Sequence, residues 1–262
     1  MSGVNTPGRA LLAAKTLRTD NWRRAPALTA AGLLLFVVYG GVRAFQFDYY
    51  YSAPYLSPFY SPCITTGCVP EASDFGQPIS WWPLSPALII LIFPLGFRLT
   101  CYYYRKAYYR SFWLSPAACA VAEPHKKYSG ETRFPLIFQN VHRYFWYVAM
   151  IFGVILTYDA ILGFRNAEGD WGHMGLGTVL MVVNVVLLGL YTFGCHSCRH
   201  ITAGRINHFS KHPIRYRLWG LVSKLNAKHM QWAWASLIWI VVADGYIRLV
   251  SNGTFTDYHH IF

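Results

Sequence analysis

Met174-Gly-Leu-Gly-Thr-Val-Leu-Met-Val-Val-Asn-Val-Val-Leu-Leu-Gly-Leu-Tyr-Thr-Phe-Gly194 carries no charge, and Cys195-His196-Ser197-Cys198-Arg199-His200 follows it directly. As a helix the uncharged run covers about 30 Å, the thickness of a bilayer's hydrocarbon layer. The next six residues put two thiols and two imidazoles at one end of that helix. Such soft and borderline ligands suit zinc or an iron–sulfur cluster far better than calcium or magnesium. Together the two features predict a membrane helix with a metal or redox centre beside the membrane surface.

The rest of the chain reads the same way. Hydrophobic residues make up 54% and charged residues 13% of its 262 positions. Apolar stretches predict an all-α integral membrane protein, a bundle of five transmembrane helices over 25–45, 81–104, 140–164, 172–200 and 227–250. Each is close to the roughly 20 residues that a bilayer requires. None alternates with the period of two that a barrel strand shows. The second is kinked by Pro83, Pro86 and Pro94. Residues 25–250 then form one membrane domain, between a basic N-terminal segment (1–24), expected to be mobile on the membrane surface, and a tail (251–262).

The net charge of +12 comes in blocks between the apolar segments, which argues against nucleic-acid binding. Lysines and arginines number five in 1–24, seven in 98–133 and seven in 195–228, against none in 44–97 or 251–262. The positive-inside rule predicts a cytoplasmic N-terminus, an external C-terminus and a cytoplasmic Cys/His cluster in a multi-pass plasma-membrane protein. The first apolar run has a long positive lead and no small-residue cleavage site after it, so it reads as a retained helix rather than a signal peptide. Cys63 and Cys68 then face the oxidising exterior, where a disulfide would close a small Pro-rich loop. Cys101, Cys119, Cys195 and Cys198 fall on the reducing side, where spare thiols more often bind metals.

On an ideal helix Cys195 and Cys198 share one face, and His196 and His200 the neighbouring one. Cys101, also at the inner end of a predicted span, adds a further ligand. The set Cys101, Cys195, His196, Cys198 and His200 admits structural zinc or a Rieske-type [2Fe–2S] centre. A pair of b haems requires facing histidines at two depths, whereas His142, His173 and His229 all sit near helix ends. A single haem b near the inner face stays open; two haems across the membrane do not fit.

Three stretches carry a resemblance: Cys101-Tyr-Tyr-Tyr-Arg-Lys-Ala-Tyr-Tyr-Arg-Ser-Phe-Trp113, Gly130-Glu-Thr-Arg-Phe-Pro-Leu-Ile-Phe-Gln-Asn-Val-His-Arg-Tyr144, and Cys195 to His200. Together they resemble the membrane anchor subunit of actinobacterial succinate dehydrogenase, over roughly residues 25–250. The resemblance implies a succinate:quinone oxidoreductase in which flavoprotein and iron–sulfur subunits dock on the cytoplasmic face and the anchor binds menaquinone. It also allows a trimer of the whole complex. Related anchors hold the haem nearest the docked subunits with histidines from helices two and four. Here those places offer Cys101 and the 195–200 cluster, so a Rieske-type [2Fe–2S] centre is expected instead.

The chain has no Gly-rich nucleotide loop, so flavin and succinate chemistry are expected in a partner. The aromatic and basic residues of 98–113 suit docking of an acidic protein or of anionic lipid. Quinone candidates are His142, Arg143 and Tyr144 at the inner start of helix three, with Arg98 and Tyr102 from helix two. Asp159 and Asp244 lie within spans, where ionisable groups are functional candidates. They read either as a proton path or distal quinone site, or as ion pairs: Asp244 with Arg248, and Asp159 with Arg165 or Arg43. A haem b cytochrome anchor and a zinc-stabilised scaffold without redox role remain the alternative functions.

Overall fold

The computed structural model describes residues 20–108, 137–204, 206–257 and 260–261. Much of the N-terminal segment, Cys119, and the parts of the first two resemblance motifs within 109–136 lie outside the described residues. The described chain is mostly helical: α1 (Arg24–Gln46), α2 (Ala87–Ile90), α3 (Ile92–Thr100), α4 (Tyr102–Tyr108), α5 (Phe138–Leu162), α6 (Leu176–Phe193), α7 (His196–Ala203), α8 (Pro213–Ala227) and α9 (His229–Ser251). Among the described residues four helices, α1, α5, α6 and α9, are long and apolar enough to cross a membrane. The all-α membrane class read from the sequence therefore holds.

The stretch read as the second span is broken into α2, α3 and α4, with the apolar part covering Ala87–Thr100. Pro94 has no N–H for the carbonyl of Ile90, and the helix is interrupted beside it at Leu91. A second interruption falls at Cys101, whose N–H turns back to the carbonyl of Arg98.

The chain divides into two compact units. One contains 1–35 and 98–142, the other 36–97 and 143–262. In the first, Arg98 donates to the Tyr104 hydroxyl at 3.1 Å, and Thr100 Oγ1 bonds His142 Nδ1 at 2.8 Å.

In the second unit α6 and α9 pack antiparallel, with Trp239 Nε1 donating to the Leu180 carbonyl at 3.0 Å. Small buried residues of α9 (Ala233, Ala243) allow close approach, and Gly177 of α6 leaves room for the Tyr55 ring, which a Cβ would meet at 2.6 Å. Residues 47–86 fold into a cap at one end. A short hairpin pairs β1 (Tyr51–Ser52) with β2 (Tyr55–Leu56), and Cys63 and Cys68 are bonded with Cα atoms 5.9 Å apart. Phe47, Tyr50 and Tyr60 stack beneath it. A Cβ at Gly67 would lie 2.2 Å from the Pro83 carbonyl oxygen, so only glycine fits between the loop strands there. Asp257 caps α6 from beyond α9, accepting from the N–H groups of Leu176 and Gly177.

Candidate functional site

At the end of α6 away from the cap, the chain changes direction between Gly194 and Cys195. Gly194 stays helical, whereas Cys195 is extended (φ −69°, ψ 147°) and caps α7. A Cβ at Gly194 would meet the Leu190 carbonyl oxygen at 2.7 Å. The carbonyls exposed by the turn are captured by side chains: Asn226 Nδ2 donates to Gly194 at 2.7 Å, and Trp146 Nε1 to Thr192 at 3.0 Å. The turn is thereby fixed from α8 and from α5.

Cys195 and Cys198 are both buried, and the Ser197 N–H points at Cys195 Sγ at 3.4 Å. Partial positive charge at a helix N-terminus favours a thiolate there. Burial pushes the Cys198 thiol up, against a smaller opposing effect of Thr202. Burial, and then the nearby Arg199, hold the His196 imidazole below its ordinary value. His196 meets the His229 ring edge-on at 6.2 Å, and Tyr191 stacks on His229 at 5.1 Å and 7°. His200 accepts a hydrogen bond on Nδ1 from Arg143 Nη2.

Four of the five ligand candidates thus lie on α7 or its cap, and Cys101 lies buried in the other unit. Their chemistry, thiols and imidazoles, fits zinc or a [2Fe–2S] centre. Among the described residues, however, no three His, Cys, Asp or Glu side chains gather closely enough to hold a metal ion.

The quinone candidates are distributed over both units. Arg98 and His142 are buried in the first and bonded to Tyr104 and Thr100, while Tyr102 is exposed beneath the Arg105 guanidinium. Arg143 belongs to the second unit and holds His200, and Tyr144 is 70% exposed on α5.

The two intramembrane acids have definite partners. Asp244 and Arg43 are both 0% exposed and paired at 2.9 Å. Asp244 also accepts from Arg43 Nη2 at 3.3 Å, from Ser57 Oγ at 2.5 Å, and from Tyr39. The i, i+4 pairing with Arg248 gives way to this one, because Arg43 on α1 offers a two-nitrogen fork with no water to compete. Asp159 accepts from Ser61, and the Arg43 expected as its partner is committed to Asp244 instead. Sequence reasoning missed Thr100, Ser57 and Ser61, none of which has a motif of its own, and read Tyr104 only as part of a docking face. It considered His229 only for haem, although its position at the start of α9 puts it at the same end as His196.

The sequence matches the family described as "Actinobacterial succinate dehydrogenase subunit SdhC" over residues 24–253. In structure the chain is similar to one in the "Mycobacterium smegmatis Sdh1 complex in the apo form", at 54% identity, 100% coverage of both chains and a TM-score of 0.87. No curated protein matches it.

Proposed function

Because this chain belongs to the actinobacterial succinate dehydrogenase SdhC family, and is the membrane anchor subunit of such a complex, we propose that it docks flavoprotein and iron–sulfur subunits on its Cys/His end and delivers their electrons to menaquinone. One observation carries the redox part: two buried thiols and two exposed imidazoles lie on a short helix and its cap, directly after a membrane span. Cys195, Cys198, His196 and His200 offer the two thiolates and two imidazoles of a Rieske-type [2Fe–2S] centre, which would draw them closer together than they stand here. When bound, such a centre supplies one-electron transfer at a potential raised by its imidazole ligands.

The chain's own residues have roles that do not depend on that group. Asn226 and Trp146 fix the turn that presents Cys195. Arg143 orients His200 through Nδ1, which leaves its proton on Nε2. Arg98 and His142 are buried polar groups of the kind that hold a quinone carbonyl and supply its protons, and Tyr104 and Thr100 set their positions. Succinate oxidation falls to the flavoprotein partner.

Low-temperature EPR with iron and zinc analysis on the assembled complex, wild type beside Cys198→Ser, tests this reading. The expected result is the low-average-g signal of a histidine-ligated [2Fe–2S] centre, lost in the variant. Zinc without that signal would make the Cys/His turn a structural clasp, and sharp haem bands in the visible spectrum would make the chain a cytochrome anchor.

A further inference from the structure

The helix α8 is unlike every other long helix of the second unit, because none of its 15 residues is buried. Its length is about 22 Å. Both of its ends are tied to the end of the membrane domain that carries the Cys/His turn. Asn226 near its C-terminus holds the last carbonyl of the α6 turn, and α9, a membrane span, begins two residues after Ala227. Near its N-terminus Arg215 Nε donates to the Thr202 carbonyl of α7 at 2.8 Å. Trp219, on the same side as Arg215, stacks with Phe209 and lies under the Arg199 guanidinium at 4.9 Å. These contacts define the side of α8 that faces protein.

The remaining surface is ordered around the helix. Ile214, Leu218 and Leu221, spaced four and three apart, form one stripe and are exposed by 72, 49 and 59%. At 100° per residue, Arg217, Lys224 and Lys228 fall together on the flank of that stripe farthest from Arg215 and Trp219. No acidic residue occurs anywhere from 195 to 228. The stripe is aliphatic, whereas protein interfaces are enriched in the aromatic residues that α8 instead packs against its own protein side.

We propose that α8 is an interfacial helix that binds anionic phospholipid, with the lipid phosphates on Arg217, Lys224 and Lys228 and the acyl chains along Ile214, Leu218 and Leu221. An apolar stripe bordered by cations is the pattern that lies in the headgroup layer, with long basic side chains reaching phosphate while their stems cover apolar surface. The helix lies where that layer must be, since the segment 194–228 joins the ends of two membrane spans. The proposal rests on the membrane placement of the chain and not on the redox centre, so it stands or falls independently of the EPR result.

The test uses the assembled complex in nanodiscs of phosphatidylcholine with a minor share of phosphatidylglycerol. Bound lipid is counted by native mass spectrometry for wild type and for Arg217→Gln/Lys224→Gln/Lys228→Gln. Each basic residue near an anionic surface contributes a factor of about five in affinity, the equivalent of about 1 kcal/mol. Retained phosphatidylglycerol should therefore fall on the order of a hundredfold, with phosphatidylcholine unchanged. Equal retention overturns the proposal, as does loss of the iron–sulfur subunit with lipid unchanged, which would make α8 a protein-docking helix. A nitroxide on Leu221→Cys gives a second reading that needs no charge removed. Preferential collision with oxygen over a nickel chelate is expected. Preference for the chelate, or shielding from both, places the stripe in water or under protein and overturns the proposal.

Discussion

Asp244→Asn removes the buried carboxylate of a guanidinium whose remaining anionic partner, Asp48, is half-exposed and 3.5 Å away. Arg43 is fully buried, and its Nε and Nη2 both end on the Asp244 carboxylate, with Nη1 reaching the carbonyl and carboxylate of Asp48 at 3.2 and 3.5 Å. The amide presents one acceptor and two donors where the carboxylate accepts from Arg43, Ser57 and Tyr39. Losing neutral hydrogen bonds would cost about 0.5–1.5 kcal/mol each, but the stranded buried cation costs about 3–5 kcal/mol and dominates. A chain of this size shifts its melting midpoint by roughly 2–4 °C per kcal/mol, so the solubilised complex should melt on the order of 10 °C lower. Arg43→Met alone should be similarly harmful, because it leaves a buried carboxylate. The pair Arg43→Met/Asp244→Leu should cost much less than the sum of the single changes, since no charge is left unpaired. Thermal denaturation of the four proteins measures this cycle. An Asp244→Asn complex that melts with wild type, or a double variant at the full sum, would refute the account of a charge pair that holds α1 to α9.

Three further outcomes are expected. Gly67→Ala forces a methyl against the Pro83 carbonyl and the Phe47 ring, at 2.2 and 2.7 Å, and should lower the melting midpoint through about 1–3 kcal/mol of overpacking. Asp159→Asn should weaken assembly while leaving quinone reduction per assembled complex unchanged, because the carboxylate serves Ser61; lost reduction in fully assembled complex would instead assign Asp159 to a proton path. Asn184 buries an amide oxygen without a hydrogen-bond partner midway along α6, so Asn184→Leu should raise the melting midpoint by about 1 kcal/mol equivalent, and a lower midpoint would contradict that.

The membrane class was legible because α1, α5, α6 and α9 are strongly apolar runs of the right length with few charges, a signal that depends on composition alone. The broken second segment was legible as a kink from its prolines, but its division at Leu91 and Cys101 depends on which carbonyls lose donors, and sequence does not state that. The Cys195–His200 cluster was visible as a density of ligand-type residues. Its surroundings were not. Trp146 and Asn226 look like ordinary helix residues until the turn exposes two carbonyls for them to hold. The partner of Asp244 was misjudged for a similar reason. Local i, i+4 spacing is readable from a string, whereas Arg43 lies 201 positions away and is brought close only by packing of α1 on α9.

The antiparallel seam of α6 and α9 explains how the Cys/His turn can be held in place beside so basic and open a surface. Two contacts set its register: Trp239 on the Leu180 carbonyl, and the Tyr191 ring on His229. Both give the same offset to within one residue, so a slip of one turn, about 5.4 Å, would undo both contacts together. At the cap end Asp257 holds the start of α6, and Asp244 ties α9 to α1. A helix fixed at its start and keyed along its length delivers its last residue to one position. From there the distance to Cys195 is a single residue, Gly194, with its carbonyl already bonded. The placement of the thiols is therefore set mainly by contacts inside the membrane, and exposed charge on α8 can be given over to the surface without loosening them.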